Sequence, residues 1–361
     1  MSIASEISRL QSAKTDIRNA IQNKGVTVPS NITIDAYPSY IASIPTGGTD
    51  YAPELIGRTI ASYSNSTISL IGKYAFNDCK FLTEINCPNV TTVSNYAFAG
   101  CSMLSTITLS SLYTRVENGA FVDCYSLSSI PYASQISYIG GAAFFGCSGL
   151  SAIDLSSCTT ISSPVPAYTG SPQSLGAFQH CRNLTSIKLP ICTSIGSSAF
   201  NNIGITSLDM STAMPSVTSM GASVFENCSS LSTVKFNNGL STIPANCFRS
   251  CTNLTNVSFG TNVTLIGQSA FYGCSSLSTI SFPSSLLSIS GYAFQRCANL
   301  ESVYIPSDVS RVITLAGANA FTNTKLSGTT ATGSIYVPNN WLASYQTAPS
   351  WSAYSSRMVS Y

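Results

Sequence analysis

Apolar residues recur along most of this chain with one period and one internal order. The unit reads Ala-Phe-x-x-Cys-x-x-Leu-x-x-Ile-x-Leu, followed by a shorter Val/Ile-x-x-Ile-Gly segment. Its marker phenylalanines are Phe76, Phe98, Phe121, Phe144, Phe178, Phe200, Phe225, Phe248, Phe271, Phe294 and Phe321, most of them 22 or 23 residues apart. Three residues after nine of them comes a cysteine: Cys79, Cys101, Cys124, Cys147, Cys181, Cys228, Cys251, Cys274 or Cys297. Leucine follows each cysteine after another three. The order breaks at Phe200, where Ile203 replaces the cysteine and a residue is lost before Ile205, and at Phe321, where Thr324 replaces it. A repeat of this length marks a stacked array, because one unit cannot bury its apolar face alone.

The Leu-x-x-Ile-x-Leu piece predicts a short strand, since its last apolar residues alternate, as in Ile187 and Leu189 or Ile280 and Phe282. Stacked strands form a parallel sheet whose rungs place Leu, Ile, Phe and Cys inside, at about 1.5 to 3 kcal/mol per large apolar side chain. The Ala-Phe-x-x-Cys piece predicts a tight helical turn on the return path, with the small alanine letting successive turns approach. The interval from Phe144 to Phe178 is 34 residues. Its excess lies around residues 161–172, where Pro164, Pro166 and Pro172 stiffen what is expected to be a surface loop.

Different periods govern the two ends. Ile3, Ile7, Leu10, Lys14, Ile17 and Ile21 are alternately four and three residues apart, a heptad seam with a lysine in one core slot, and Gly25 stops the helix. Self-association through residues 3–24 and packing against Val26, Val28, Ile34, Tyr37, Tyr40 and Ile41 both fit this seam. At the other end Ile335-Tyr-Val-Pro338 predicts a final strand, and Trp341, Leu342, Tyr345, Trp351 and Tyr354 predict a cap on the exposed last rung. The expected organisation is a helical attachment or oligomerisation segment over residues 1–46, a linker over 47–59 that begins an N-terminal cap, a solenoid of about 11 repeats over 60–338, and an aromatic C-terminal cap over 339–361.

Composition removes several functions. Charged residues make up only 8% of the 361 residues, against about a quarter in ordinary globular proteins. The net charge of +2 comes from scattered side chains, so the basic footprint of a nucleic-acid binder is missing. No apolar run approaches the roughly 18 residues of a membrane span, and Met1 to Leu10 has no apolar signal core.

Thirteen cysteines invite a metal or disulfide reading. Nine share one repeat position, which makes them stacked core residues. Cys247 and Cys251 lack the further ligands of a zinc site, and Cys87, Cys158 and Cys192 belong to no motif. His180, the only histidine, precedes Cys181, but the same position elsewhere holds Asp78, Gly100, Asp123, Gly146, Asn227, Ser250, Gly273 and Arg296. That indifference marks a solvent position. With no nucleophile elbow, no phosphate-cradling loop and no spaced carboxylate pair, the expectation is a protein with no catalytic, cofactor-binding or metal-binding residues.

What remains is the outward face of the predicted sheet. One column runs Asn86, Thr108, Pro131, Asp154, Lys188, Asp209, Lys235, Ser258, Ser281, Tyr304 and Tyr336; its companion runs Glu84, Thr106, Ser129, Ala152, Ser186, Ser207, Thr233, Asn256, Thr279, Ser302 and Ser334. Lys188, Asp209 and Lys235, with Asp154 before them, predict opposite charges on successive rungs, read either as a self-neutralising ladder or as a polar contact site. Tyr304 and Tyr336 predict adjacent aromatic rings suited to sugars or protein surfaces. These five residues are the candidate ligand contacts.

The repeat resembles the BspA-like leucine-rich repeats of bacterial surface proteins over roughly residues 60 to 338. That resemblance implies a curved right-handed leucine-rich-repeat solenoid with a parallel sheet on one face and an adhesive role, and it supplies no catalytic residues. Residues 13–30 and 34–44 resemble a segment of bacteriophage tail-associated proteins. That second resemblance implies a head attached to other virion proteins and a solenoid that recognises a host surface protein or glycan, with Thr46-Gly-Gly-Thr-Asp50 as a flexible joint. The leading expectation is therefore a phage tail or fibre component located in the virion. The alternative is a bacterial surface adhesin, and an enzyme comes third.

Overall fold

The computed structural model describes residues 60–163, 165–166, 174–328 and 331–361. The heptad seam of residues 3–24, the phage-like segment and the linker lie outside the described residues. Most turns of the described chain lay down two strands. The longer has three residues, as in Glu84–Asn86, Thr233–Lys235 and Thr279–Ser281. It pairs in parallel, without offset, to the equivalent strand of the next turn: Glu84 lies opposite Thr106, Ile85 opposite Ile107 and Asn86 opposite Thr108. The shorter has two residues. It forms a seven-stranded parallel ladder from Leu70–Ile71 to Ser219–Met220, then a four-stranded one from Thr242–Ile243 to Thr314–Leu315. The product is a parallel-strand leucine-rich-repeat solenoid of about 12 turns with little helix.

Alternation decides which side chains enter it. In the three-residue strands the central Ile85, Ile153, Ile187, Val234 and Ile280 are buried, and the residues on either side of each point outward. The rung at Ser129–Pro131 forms no strand, in keeping with a proline that has no N–H to give a ladder. A second break falls where the repeat loses a residue. There Ser186–Lys188 does not pair with Ser207–Asp209, and the Leu189 N–H donates instead to the Ala213 carbonyl in a short helix, Met210–Ala213. Asp209 caps that helix by accepting from the Ser211 N–H at 2.9 Å.

The expected helical turns of the return path take the form of chained tight turns. Between Gly72 and Cys79, the amides of Ala75, Asn77 and Cys79 donate three residues back along their own turn, while those of Tyr74, Phe76 and Asp78 donate to the next turn. Each phenylalanine amide from Phe76 to Phe294 reaches the residue before the next phenylalanine, as in Phe98 to Ala120 at 2.9 Å. The residue before each marker phenylalanine is small to medium in every turn, alanine in nine of them and Val224 and Cys247 in the other two. Alternation of this kind requires left-handed backbone at two positions per turn, seen at Tyr74 and Asp78, at Ser198 and Asn202, and at Asn246 and Ser250.

Inside, the eleven phenyl rings form one continuous stack, with neighbouring centroids 5.1 to 5.6 Å apart and planes within 12°. The Phe144 and Phe178 rings stack at 5.2 Å despite the long interval between them, so the insertion adds no rung. Its described part is a two-stranded antiparallel pair, Val165–Pro166 with Ser174–Leu175. Outside, Ser and Thr hydroxyls at the strand entrances donate to carbonyls one turn back: Ser105 to Thr83 at 3.2 Å, Ser232 to Thr206 at 2.9 Å, Thr255 to Ser232 at 3.1 Å, and along the other ladder Thr264 to Ser241 at 3.0 Å. The hydroxyl-rich, charge-poor composition thus serves the joints between turns.

Ser334–Val337 is not the final strand. Met358–Ser360 pairs in parallel beyond it, with Ile335 opposite Met358. Between the two, the chain folds Tyr345, Trp351 and Tyr354 against the end of the phenyl stack, with the Trp351 and Tyr354 rings 5.9 and 5.6 Å from Phe321. Three polar contacts hold them. The Ile313 amide donates to the Tyr345 hydroxyl at 2.9 Å, the Trp351 indole donates to the Ile313 carbonyl at 2.7 Å, and the Tyr354 hydroxyl donates to the Ala318 carbonyl.

Candidate functional site

Reactive side chains are spent on structure. All thirteen cysteines are buried, and none is in a disulfide. Those of the repeat position from Cys101 to Cys297 form their own ladder, each donating to the phenylalanine carbonyl of the preceding turn: Cys101 to Phe76 at 3.0 Å, Cys147 to Phe121 at 3.0 Å, Cys251 to Phe225 at 3.2 Å, Cys297 to Phe271 at 3.1 Å. Cysteine fits because it fills a small apolar space and still supplies a weak donor. At Thr324 the hydroxyl turns to the Phe321 carbonyl of its own turn, at 2.7 Å. Cys247 occupies the alanine position of its turn, its carbonyl accepting from the Phe225 amide. Burial pushes the Cys87 thiol up to about 11 and the Cys228 thiol to about 12. Because all thirteen are buried, an alkylating reagent at pH 8 should label none of them in the folded protein and all of them in denaturant; mass spectrometry counts the adducts.

His180 stands at a left-handed position, φ 66°, and this explains what its equivalents have in common. Asp78, Asp123, Asn227, Ser250 and Arg296 share a φ of 56° to 62° there, and Gly100, Gly146 and Gly273 have 74° to 78°. Gly, Asn and Asp bear that conformation best, so the column's chemistry follows backbone geometry as well as solvent. The ring is half-buried rather than fully exposed. Its Nδ1 lies 2.7 Å from the Asn202 side-chain nitrogen, and its edge meets Phe145 at 5.2 Å. Burial, then the Arg182 charge, lowers its pKa from 6.5. The folded state thus holds fewer protons than the unfolded one just below pH 6.5, so stability falls as pH drops through that point. His180→Gln should flatten this part of a stability profile between pH 7 and 5, read from denaturant midpoints.

On the outward face, the charged column resolves into two separate pairs. Lys188 meets Asp154 at 2.9 Å, and Lys235 meets Asp209 at 3.0 Å. The ladder break between Lys188 and Asp209 divides them. All four side chains are well exposed, so solvent screens both pairs and each adds little to stability. Contacts to the Ser156 hydroxyl and then to Lys188 hold the Asp154 carboxyl below its usual range, and contacts to Ser211 and then Lys235 do the same for Asp209. Tyr304 lies opposite Tyr336 in register, their rings 4.5 Å apart and 7° from parallel. The two ion pairs and the tyrosine stack therefore share one face, at different heights.

The insertion lies elsewhere. It leaves the turn after the short strand Thr160–Ile161 and before the return path, and Leu175 packs on a small outer cluster of Ala99, Val122 and Ala142 with Tyr96 and Phe145. Leu175, at the described end of the insertion, is thus placed away from the sheet face. Among the described residues, no group of three or more His, Cys, Asp or Glu is placed to hold a metal, and no helix is long and apolar enough to cross a membrane.

A search of curated proteins returned no match. Among solved structures, a leucine-rich repeat protein from Bacteroides ovatus is 20% identical, with 85% of this chain and 93% of that one covered and a TM-score of 0.39. A leucine rich cell surface protein from Faecalibacterium prausnitzii is 22% identical, covering 77% and 87%, with a TM-score of 0.43. The pneumococcal vaccine antigen PcpA is 17% identical, covering 84% and 88%, with a TM-score of 0.47. Such values carry no argument about function, and the family assignment rests on the repeat itself. The family described as BspA type leucine rich repeat region matches residues 60–169, 174–244 and 218–343 in six copies. These matches take in most of the chain, which therefore belongs to the BspA type leucine-rich-repeat family.

Proposed function

We propose that this chain is a non-catalytic adhesion protein of a bacterial cell surface that holds its partner on the outward face of its three-residue strands. The observation that carries this reading is the division of chemistry: every thiol is interior, while the outward columns present hydroxyls, two closed ion pairs and a tyrosine stack on a rigid ladder. A surface of this kind favours contact over turnover, since binding needs a preorganised face and catalysis needs reactive groups brought together. The partner is a host surface protein or glycan, met through Tyr304 and Tyr336 with Lys188, Asp209 and Lys235 beside them. Family membership supports a surface location. The phage-tail expectation has no counterpart among the comparisons, and the residues that suggested it lie outside the matched region.

Binding of the purified chain to host epithelial cells tests this reading. Tyr304→Ala with Tyr336→Ala should cut bound protein at least tenfold while leaving the melting temperature within about 3 °C; unchanged binding would exclude this face. Mass spectrometry should recover the chain from bacterial envelopes, and recovery among the structural proteins of purified phage particles would overturn the location.

A further inference from the structure

The two tyrosines do not offer equivalent faces. Near-parallel rings 4.5 Å apart have their normals along the solenoid axis, so each ring has one face toward its partner and one toward the adjacent rung. For Tyr336 that rung carries Val359, directly opposite in register. For Tyr304 it carries Ser281, too small to cover a phenol ring, and the equivalent position one turn earlier is Ser258. Tyr304 is 36% exposed.

Beyond Ser258 comes Lys235, in register with it and tied to Asp209 at 3.0 Å. Lys235 and Tyr304 stand three rungs apart, about 14 Å at the usual strand spacing. The result is a notch with the open Tyr304 face as one wall, the Lys235–Asp209 pair as the other, and Ser258, Ser281, Asn256 and Thr279 as its floor. The ladder is also interrupted between Asn256–Ser258 and Thr279–Ser281. Backbone N–H and C=O groups at this step are therefore not committed to a strand pair.

We propose that this notch is a subsite for a neutral hexopyranose chain, with one sugar ring laid on the open face of Tyr304. The inference rests on the adhesion reading and names its ligand class. The C–H face of a pyranose meets the negative face of an aromatic ring, and its ring hydroxyls need the dense, charge-free donors and acceptors that the floor supplies. Charge complementarity selects a neutral sugar. Lys235 is neutralised by Asp209, and Lys325 by Glu301 at 2.7 Å, so neither lysine is left as an unpaired cation to hold a uronic or sialic acid.

Titration calorimetry of the full chain with cellohexaose, mannohexaose and lacto-N-tetraose, against hexagalacturonate, tests the proposal. At least one neutral probe should bind with a millimolar or tighter Kd, and the acidic one at least tenfold more weakly. Tyr304→Ala should weaken the neutral probe at least tenfold. Ser281→Phe, which covers the open ring face without removing any existing contact, should abolish binding, whereas Lys80→Ala, an exposed side chain on a turn far from the notch, should leave it unchanged; circular dichroism checks that each variant is folded. Failure of all three neutral probes, preference for the acidic one, or binding indifferent to both Tyr304→Ala and Ser281→Phe would overturn the proposal. The cell assay separates the two readings. If Ser281→Phe blocks adhesion but periodate treatment of the cells does not, the partner is protein, and the sugar subsite falls while the adhesive face stands.

Discussion

Replacing Phe248 by alanine should lower the unfolding free energy by about 3 to 5 kcal/mol, the range for removing a buried phenyl ring without collapse of the space left. Collapse is hindered here by construction. Phe248 stacks on Phe225 at 5.6 Å and on Phe271 at 5.5 Å, and the edge of Phe236 meets it at 5.6 Å. The turns on either side are held at fixed spacing by backbone bonds on the return path, including the Phe248 amide to Ala270 at 2.8 Å. The cavity therefore persists between two rigid rungs. In a repeat array the lost term is mainly an interface between neighbours, so the single unfolding transition should broaden or split as the two sides uncouple. Denaturant unfolding followed by fluorescence and circular dichroism measures both. Phe248→Leu, closer in volume, should cost clearly less. A cost below about 1 kcal/mol for the alanine variant would mean that the phenyl stack is not the spine of the fold.

The other large effect is expected at the end of the stack. Trp351→Ala should destabilise the last turns by about 3 to 5 kcal/mol, because Trp351 is fully buried, lies 5.9 Å from Phe321 and 5.3 Å from Tyr345, and donates to the Ile313 carbonyl at 2.7 Å. The loss combines an uncovered phenyl ring with an unpaired buried carbonyl. Trp351→Phe separates the two, retaining an aromatic ring and losing the donor, at about 1 to 3 kcal/mol. Hydrogen exchange should show loss of protection confined to strands from Ser302–Tyr304 onward, with Thr233–Lys235 unaffected. Uniform deprotection along the solenoid would show instead that the chain unfolds as one unit. An opened last rung also exposes paired-strand edges, so the alanine variant should aggregate at lower temperature than the parent.

The cysteine and histidine positions show how far pattern alone could go. Equal spacing was enough to place nine thiols in the interior, since residues at one register of a stack share one environment. Spacing carried no sign that those from Cys101 onward would donate to the phenylalanine carbonyl one turn back, a contact between residues 26 apart in most turns. At the His180 register, the recurrence of Gly, Asp and Asn was visible in the sequence and signals positive φ as readily as solvent exposure. The same residue types also suit turns and solvent, so composition could not separate the two causes. The charged column illustrates the reverse. Its order was legible as alternating sign, but the residue lost near Ile205 carried a consequence that only the paired backbone exposes, the break that leaves two isolated ion pairs.

What the sequence determined by itself was the solenoid, its period and its inside. Apolar residues repeating every 22 or 23 positions can be buried only by stacking turn on turn, and that requirement holds whatever the exact backbone path. The tertiary structure decided the rest: the chained turns of the return path, the extra strand Met358–Ser360, the packing of Leu175 on an outer cluster, and the inequivalence of the two tyrosines. Those features depend on which backbone amides point along the axis and which neighbour stands on the next rung. Such relations arise between residues far apart in sequence, and they acquire definite geometry only once the turns are packed.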